Sequence, residues 1–263
     1  MSLKSKYNTL SPRRERVAEG RVRAVLMDGA MGTVLMSRGF SVQTRFEEMN
    51  ESCPDLIREI HRSYIKAGVA VIVANTFRAG DSEKFNRLGV QIAKEATAGK
   101  AKVFASIGPR GEKSDFLQQV RALEQEKPDG YLVETMMAWD EAEAAAQAVR
   151  KVSDRTLIVS FVPTLKEGLK ESLQRLRQIG VDVIGTNCGR HPQESLAMIR
   201  RIASSDPGPW LARPPAGIYP EVLPPEEFAD WIKKIANAGT AWLGGCCGTN
   251  PTHIKKVLQK LLL

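Results

Sequence analysis

The sequence predicts an α/β protein built as a single (β/α)8 barrel, the TIM-barrel architecture, behind a short basic N-terminal extension. Two observations carry this. Short β-rich apolar runs recur eight times with amphipathic helical segments between them, which is the rhythm of βαβ units and a parallel sheet. The chain has 263 residues, and eight such units fill roughly 250 residues in this architecture. The organisation that follows is residues 1–22 as a basic extension and residues 23–263 as the barrel.

The first strand is expected at Ala24–Met27 (AVLM), just before Asp28-Gly29-Ala30. Apolar residues Leu56, Ile57, Ile60, Tyr64 and Ile65 recur at helical spacing and lead to the second strand, Val69–Ala74, followed by Asn75-Thr76-Phe77. The third strand is Lys102–Ser106, before Gly108-Pro109, and the fourth is Gly130–Val133, before Glu134-Thr135. An alanine-rich helix over Asp140–Val152 precedes the fifth strand, Thr156–Ser160, and Leu169, Leu173, Leu176 and Ile179 mark the next helix. Val181–Ile184, Trp210–Ala212 and Thr240–Leu243 complete the set, with Cys188 after the sixth strand and Cys246-Cys247 after the eighth. In a barrel the segments after the strand C-terminal ends share one rim, where functional groups gather. The glycines at those ends, Gly29, Gly108 and Gly217, serve turn geometry equally well.

With 43% hydrophobic and 26% charged residues, the composition is that of a folded globule and excludes disordered and fibrous classes. No apolar run approaches the roughly 20 residues needed to span a bilayer. The first twenty residues lack the apolar centre of a secretory signal, so a soluble cytoplasmic protein is expected. The net charge of +8 raises the question of a nucleic-acid partner. Residues 1–23 hold seven basic side chains against two acidic ones, which is +5 of that charge and leaves +3 for the other 240 residues. A nearly neutral body argues against nucleic acid, and the basic arm reads as a solvated leader or a helix packed under the barrel.

Three of the four cysteines lie in glycine-flanked segments: Cys188 in GTNCG, and Cys246 and Cys247 in GGCCGT. A disulfide between adjacent cysteines closes a strained ring, and a catalytic thiol needs one cysteine with a base. Three thiolates supply three positions of a tetrahedral zinc site and leave the fourth open, as catalytic zinc requires. The spacing is not that of a zinc finger, and buried core cysteines are the competing explanation. Cys53, in ESCPDL, has no such company and reads as a small buried hydrophobe. An open position on a thiolate-rich zinc suits a thiol substrate, which the metal would deprotonate. Of the three histidines, His61 and His253 read as structural, and His191, three residues after Cys188, is the one that could approach a metal. The four tryptophans, Trp139, Trp210, Trp231 and Trp242, are assigned to the core or the barrel ends.

DGAMGT (28–33), IHRSYIKAGVAVIVANTF (60–77), ASIGPRG (105–111), ETMMAWDEAEAA (134–145), GTNC (185–188) and GGCCGTNPTHI (244–254) together resemble the zinc-dependent homocysteine S-methyltransferase family. The resemblance runs from about residue 24 to the C-terminus, and DGAMGT and ANTF look most like the homocysteine module of cobalamin-dependent methionine synthase. It implies that Cys188, Cys246 and Cys247 bind Zn2+ and that homocysteine sulfur takes the fourth position. It implies also that Asp28 and Glu134 orient the substrate ammonium while main-chain N–H groups at Gly29 and Ala30 meet its carboxylate. Asn75, Ser106 and Asn187 are expected to support these groups; Asp28 could alternatively cap a helix.

Two departures stand out. Where the family often has Lys-Pro-Asn-Ala-Gly after the seventh strand, this chain has Arg213-Pro214-Pro215-Ala216-Gly217, so a side-chain amide that could approach the open metal position is missing. The loop after the fifth strand, Phe161–Gly168, is short. The activity implied is methylation of homocysteine, held as a zinc thiolate, to methionine. The donor is open among a corrinoid protein, S-adenosylmethionine, S-methylmethionine and a betaine-like onium. A corrinoid or folate partner protein is conceivable, because no such module is recognised in this sequence. Methylation of another small thiol, or a non-catalytic zinc and homocysteine binding module, are the alternatives.

Overall fold

In the computed structural model, which describes residues 24–111, 115–165, 167–218 and 221–262, eight parallel strands form a barrel ringed by helices. The N-terminal extension assigned to residues 1–22 lies outside the described residues. The barrel strands are β1 (Val25–Leu26), β2 (Val71–Val73), β3 (Lys102–Ile107), β4 (Gly130–Met136), β5 (Thr156–Phe161), β6 (Val183–Asn187) and β7 (Trp210–Arg213), closed by β10 (Trp242–Leu243). Between β7 and β10 lies a small antiparallel hairpin, β8 (Gly217–Ile218) with β9 (Glu221–Val222). The barrel order is β1-β10-β7-β6-β5-β4-β3-β2, and β2 returns to β1 through a parallel bridge between Met27 and Val71. The Ala70 N–H donates to the Leu26 carbonyl at 2.8 Å and the Asp28 N–H to the Val71 carbonyl at 3.1 Å, completing the circle.

All eight expected strands are present. β4 and β6 run further than their apolar runs, through Glu134, Thr135 and Asn187, because a ladder is made by backbone groups and does not stop where side chains turn polar. Expected helical spacings fall inside Pro54–Lys66, Trp139–Val152 and Leu169–Ile179. The sequence did not signal the short helical turns at Phe46–Glu48 and Met49–Ser52 or the β8/β9 hairpin.

Side chains alternate along each strand, so every strand sends one set inward. Met27, Val71, Val73, Phe104, Leu132, Ile158, Val183, Leu211 and Trp242 fill the barrel interior as one apolar cluster. A larger cluster joins the outer strand faces to the helices. Two residues beyond several inward positions, toward the strand C-terminal ends, the same parity places Ser106, Glu134, Ser160 and Arg213. The apolar plug is therefore capped at one end by a polar layer.

Candidate functional site

The three cysteines arrive at that end from two strands. Cys188 follows β6 directly, with a left-handed backbone (φ 64°) that sets its side chain apart from the ladder. Cys246 and Cys247 follow β10 after Gly244-Gly245. The tail of β7 fastens both segments: the Cys188 N–H donates to the Arg213 carbonyl (3.1 Å), the Cys246 N–H to the Pro214 carbonyl (2.9 Å), and the Ala216 N–H to the Cys247 carbonyl (2.8 Å). The Cys188 and Cys247 sulfurs lie 3.8 Å apart, and those of Cys246 and Cys247 4.0 Å apart. All three lie within 4.8 Å of one another.

Three sulfurs each about 2.3 Å from a tetrahedral zinc stand about 3.8 Å apart, so the donor set fits that ion. Without a cation only one thiolate is favoured: S–H groups of Cys246 and Cys247 bring Cys188 down to about 3. The bond to Cys188 pushes Cys246 up to about 11, and bonds to Cys188 and Cys246 push Cys247 up as well.

Cys53, half-buried against the core where Pro54–Lys66 begins, is not part of the cluster. His191 is also outside it. It caps Pro192–Ala203 by accepting the Gln193 N–H on Nδ1, and its ring stacks edge-on against Trp231. His253 is held by Asn250 and the Leu223 carbonyl, and His61 is fully buried with neither ring nitrogen partnered among the described residues.

Beside the cysteines a cavity of about 330 Å³ opens at the rim, with a mostly apolar wall to which Met31, Met36, Phe46 and Phe77 contribute. Gly29, Ala30, Asn75, Ser106 and Glu134 line it, as do all three cysteines. Glu134, 8% exposed, accepts the Ser106 hydroxyl at 2.6 Å, and burial raises its carboxyl above the usual range. Asn75 binds the Phe46 carbonyl and Asn50 through its amide. Asn187, fully buried, accepts the Thr135 N–H and the Ser160 hydroxyl on Oδ1, both at 2.8 Å, and donates to Thr135 Oγ1 at 2.7 Å. That grip holds Thr135 in a left-handed conformation (φ 63°) uncommon for a β-branched residue, immediately after Glu134.

Two groups expected to meet the substrate already have partners within the protein. Asp28 caps no helix and does not reach the cavity wall. Its Oδ2 accepts the Val73 N–H at 2.9 Å and its Oδ1 the Arg213 Nη2 at 3.2 Å. Burial pushes its carboxyl up to about 7 against the opposing pull of Arg213. The Ala30 N–H is not open either, because it donates to Thr249 Oγ1 at 3.1 Å. A Cβ on Gly29 would lie 2.5 Å from that same oxygen, so only glycine allows the contact.

Arg213 is the site residue whose role sequence reasoning missed. It is 4% exposed and bridges Glu134 (Nη1 to Oε2, 3.0 Å) and Asp28. Burial works against its charge, but Glu134 and Asp28 outweigh that and raise it. A charged residue ending the apolar run WLA was the available signal.

The homocysteine S-methyltransferase family model matches residues 25–261. The chain belongs to the homocysteine S-methyltransferase family. Methionine synthase of Mycobacterium tuberculosis is 27% identical over 89% of this chain, which spans only 24% of that protein. Betaine–homocysteine S-methyltransferase 1 of Danio rerio is 24% identical over 94% of this chain and 74% of its own length. The S-methylmethionine–homocysteine S-methyltransferase BHMT2 of Pongo abelii is 26% identical, with coverages of 94% and 80%. The Escherichia coli homocysteine methyltransferase MmuM, solved in apo form, superposes with a TM-score of 0.77 at 24% identity over 90% of this chain and 96% of its own, and so shares the barrel. Its metallated form gives 0.76 at 22% identity, with the same coverages. Among the described residues no helix is long and apolar enough to cross a membrane.

Proposed function

We propose that this chain transfers a methyl group to the sulfur of homocysteine, giving methionine, with Zn2+ held by Cys188, Cys246 and Cys247. The observation that carries it is the meeting of three sulfurs at tetrahedral spacing with a buried carboxylate, Glu134, on one cavity. A bound zinc would supply the deprotonation of the incoming thiol, so no separate general base is needed. The protein's part is placement. The β7 tail fixes the three sulfurs, Ser106 and Asn187 fix Glu134 and its neighbour, and the apolar wall keeps water from the sulfur. Alignment of this kind is worth up to about 7–11 kcal/mol when reacting atoms are held near 3–3.5 Å apart.

The donor belongs to the proposal only as a class: an electrophilic methyl on S-methylmethionine, S-adenosylmethionine, a betaine-like onium or a partner corrinoid protein. The names of two relatives, a betaine–homocysteine and an S-methylmethionine–homocysteine S-methyltransferase, favour the onium class. The division into a basic extension, 1–22, and a barrel, 23–263, is part of the same proposal and is supported by a family match that begins at residue 25. So is a cytoplasmic location. Because the chain spans about a quarter of the methionine synthases it matches, a homocysteine-binding module that needs a partner for turnover is a second reading. Zinc-loaded protein incubated with homocysteine and each donor in turn, with methionine read by mass spectrometry, tests both. Turnover with a small onium supports the first, binding without turnover the second, and no homocysteine binding refutes both.

A further inference from the structure

We infer that Arg78, at the mouth of the cavity, pairs with a carboxylate on the methyl donor, so that the donor this chain prefers is a small onium acid rather than a bare onium. This rests on the function proposed above and specifies the donor end of the same site.

Among the described residues, Arg78 is the free cation of that cavity. It lines the wall and is exposed, and its guanidinium makes no hydrogen bond, ion pair or aromatic contact there. The wall's other arginine, Arg213, is buried and paired with Glu134 and Asp28. On the neighbouring segments, Arg45 donates to the carbonyls of Arg78 and Ala79, and Arg110 pairs with Asp81.

The Arg78 backbone is fixed although its side chain is not. Its N–H donates to Glu47 Oε1 at 2.8 Å, and its carbonyl accepts Arg45 Nη2 at 3.0 Å and Nε at 3.2 Å. The guanidinium is therefore anchored at its base beside the opening, with all five N–H groups available. A carboxylate is the acceptor that matches this planar fork.

The wall that Arg78 borders suits the other end of such a donor. Phe77, next to it in the chain, has its ring set against Gly108, where an added Cβ would stand 2.6 Å from it, and Phe46 shares the wall. Ring faces attract a methylated cation, which has no proton to donate. A bare onium gains that contact alone, whereas an onium acid gains the pairing with Arg78 as well. In the transfer the homocysteine sulfur bonds the methyl carbon, the carbon–onium bond breaks with its electron pair left on the donor, and the thiol proton goes to solvent. The donor departs as a neutral thioether or amine that keeps its carboxylate.

The test pairs donors that share an onium centre and differ in the carboxylate: dimethylsulfonioacetate with trimethylsulfonium, and glycine betaine with tetramethylammonium. Methionine formation by zinc-loaded protein with homocysteine should give a KM about five- to tenfold lower for the acid of a pair that turns over, and added salt should narrow the gap. Calorimetric titration of the same four cations into zinc-loaded protein without homocysteine should repeat the ranking. Arg78→Gln should abolish the preference through KM rather than kcat, and Arg78→Lys, which keeps the charge and loses the fork, should restore part of it. Circular dichroism reports whether each variant is folded. Wild-type protein with no preference for the acid, or Arg78→Gln raising KM equally for both members of a pair, overturns the assignment. Weaker homocysteine binding in Arg78→Gln overturns it too, because the pairing would then belong to the thiol substrate. Wild-type protein that binds homocysteine but turns over none of the four also refutes it and leaves the second reading, a module that needs a partner. Failure of wild-type protein to bind homocysteine at all refutes the proposed function instead.

Discussion

Replacing Asn187 by alanine removes three hydrogen bonds from a fully buried residue. The Thr135 N–H and the Ser160 hydroxyl lose their acceptor, at about 1–3 kcal/mol for each group left unpaired. Part of this returns when Thr135, held at φ 63°, relaxes from a left-handed conformation that costs of order 1–3 kcal/mol. The net expectation is a loss of about 3 kcal/mol, which for a chain of this length lowers the Tm by roughly 6–12 °C. Thermal unfolding followed by circular dichroism measures it. Because Asn187 acts through Thr135, a double variant with Thr135→Gly should lose less than the sum of the two single losses. The displaced Thr135 should also shift Glu134 and weaken homocysteine binding. A Tm within about 2 °C of wild type, or strict additivity with Thr135→Gly, would refute the clamp.

Cys188→Ala, Cys246→Ala and Cys247→Ala should each lose most of the one zinc per chain expected by elemental analysis, while Cys53→Ala retains it; equal loss on changing Cys53 would show the ligand set to be wrong. His61, lowered by burial from 6.5 to about 4 in the folded chain, stays neutral while the unfolded chain takes up a proton, so its own contribution should lower stability by about 3 kcal/mol as pH drops from about 6.5 to about 4, against an opposite contribution from Asp28, whose carboxyl burial raises. Urea titrations across that window should show His61→Leu gain about that much stability relative to wild type as pH falls, and a difference between the two proteins that does not change with pH would exclude a His61 contribution. Deleting residues 1–22 should leave zinc content and homocysteine binding intact, and loss of binding with the barrel still folded would mean that the extension contributes to the site.

The barrel was legible because its signals are local. A strand announces itself within a few residues, and eight of them with helical spacing between leave little choice of architecture. The cysteines were legible for the same reason: each sits next to a strand end, and parallel strands bring all such ends to one rim. The pairings around Arg213 were not, because they join residues 185 and 79 positions apart and depend on which strands become neighbours across the closed barrel. The same holds for Thr249 and Ala30, 219 positions apart. Sequence alone placed Asp28 and Glu134 at the rim but gave no means of seeing that a cation from β7 would reach both, or that Asp28 would end up behind it. The hairpin β8/β9 escaped because two-residue strands carry no periodicity.

Residues 213–216 concentrate three tasks in one short stretch, and this links the fold to the chemistry proposed for it. Their backbone carbonyls at Arg213 and Pro214 hold the Cys188 and Cys246 segments, and the Ala216 amide holds Cys247. The Arg213 side chain ties β7 to Asp28 after β1 and to Glu134 in β4. The distance between the three sulfurs and the charged pair is therefore set by a single rigid segment rather than by two loops free to move separately. Under the proposed function a thiol substrate would be held at its sulfur and at its polar end, so the number of methylenes between them would have to match that span. Chain length should then be read as stringently as charge: a cysteine-like thiol, one methylene shorter, should bind more weakly, because reaching both ends would displace a segment tied to β4 and to the residues that follow β1, β6 and β10.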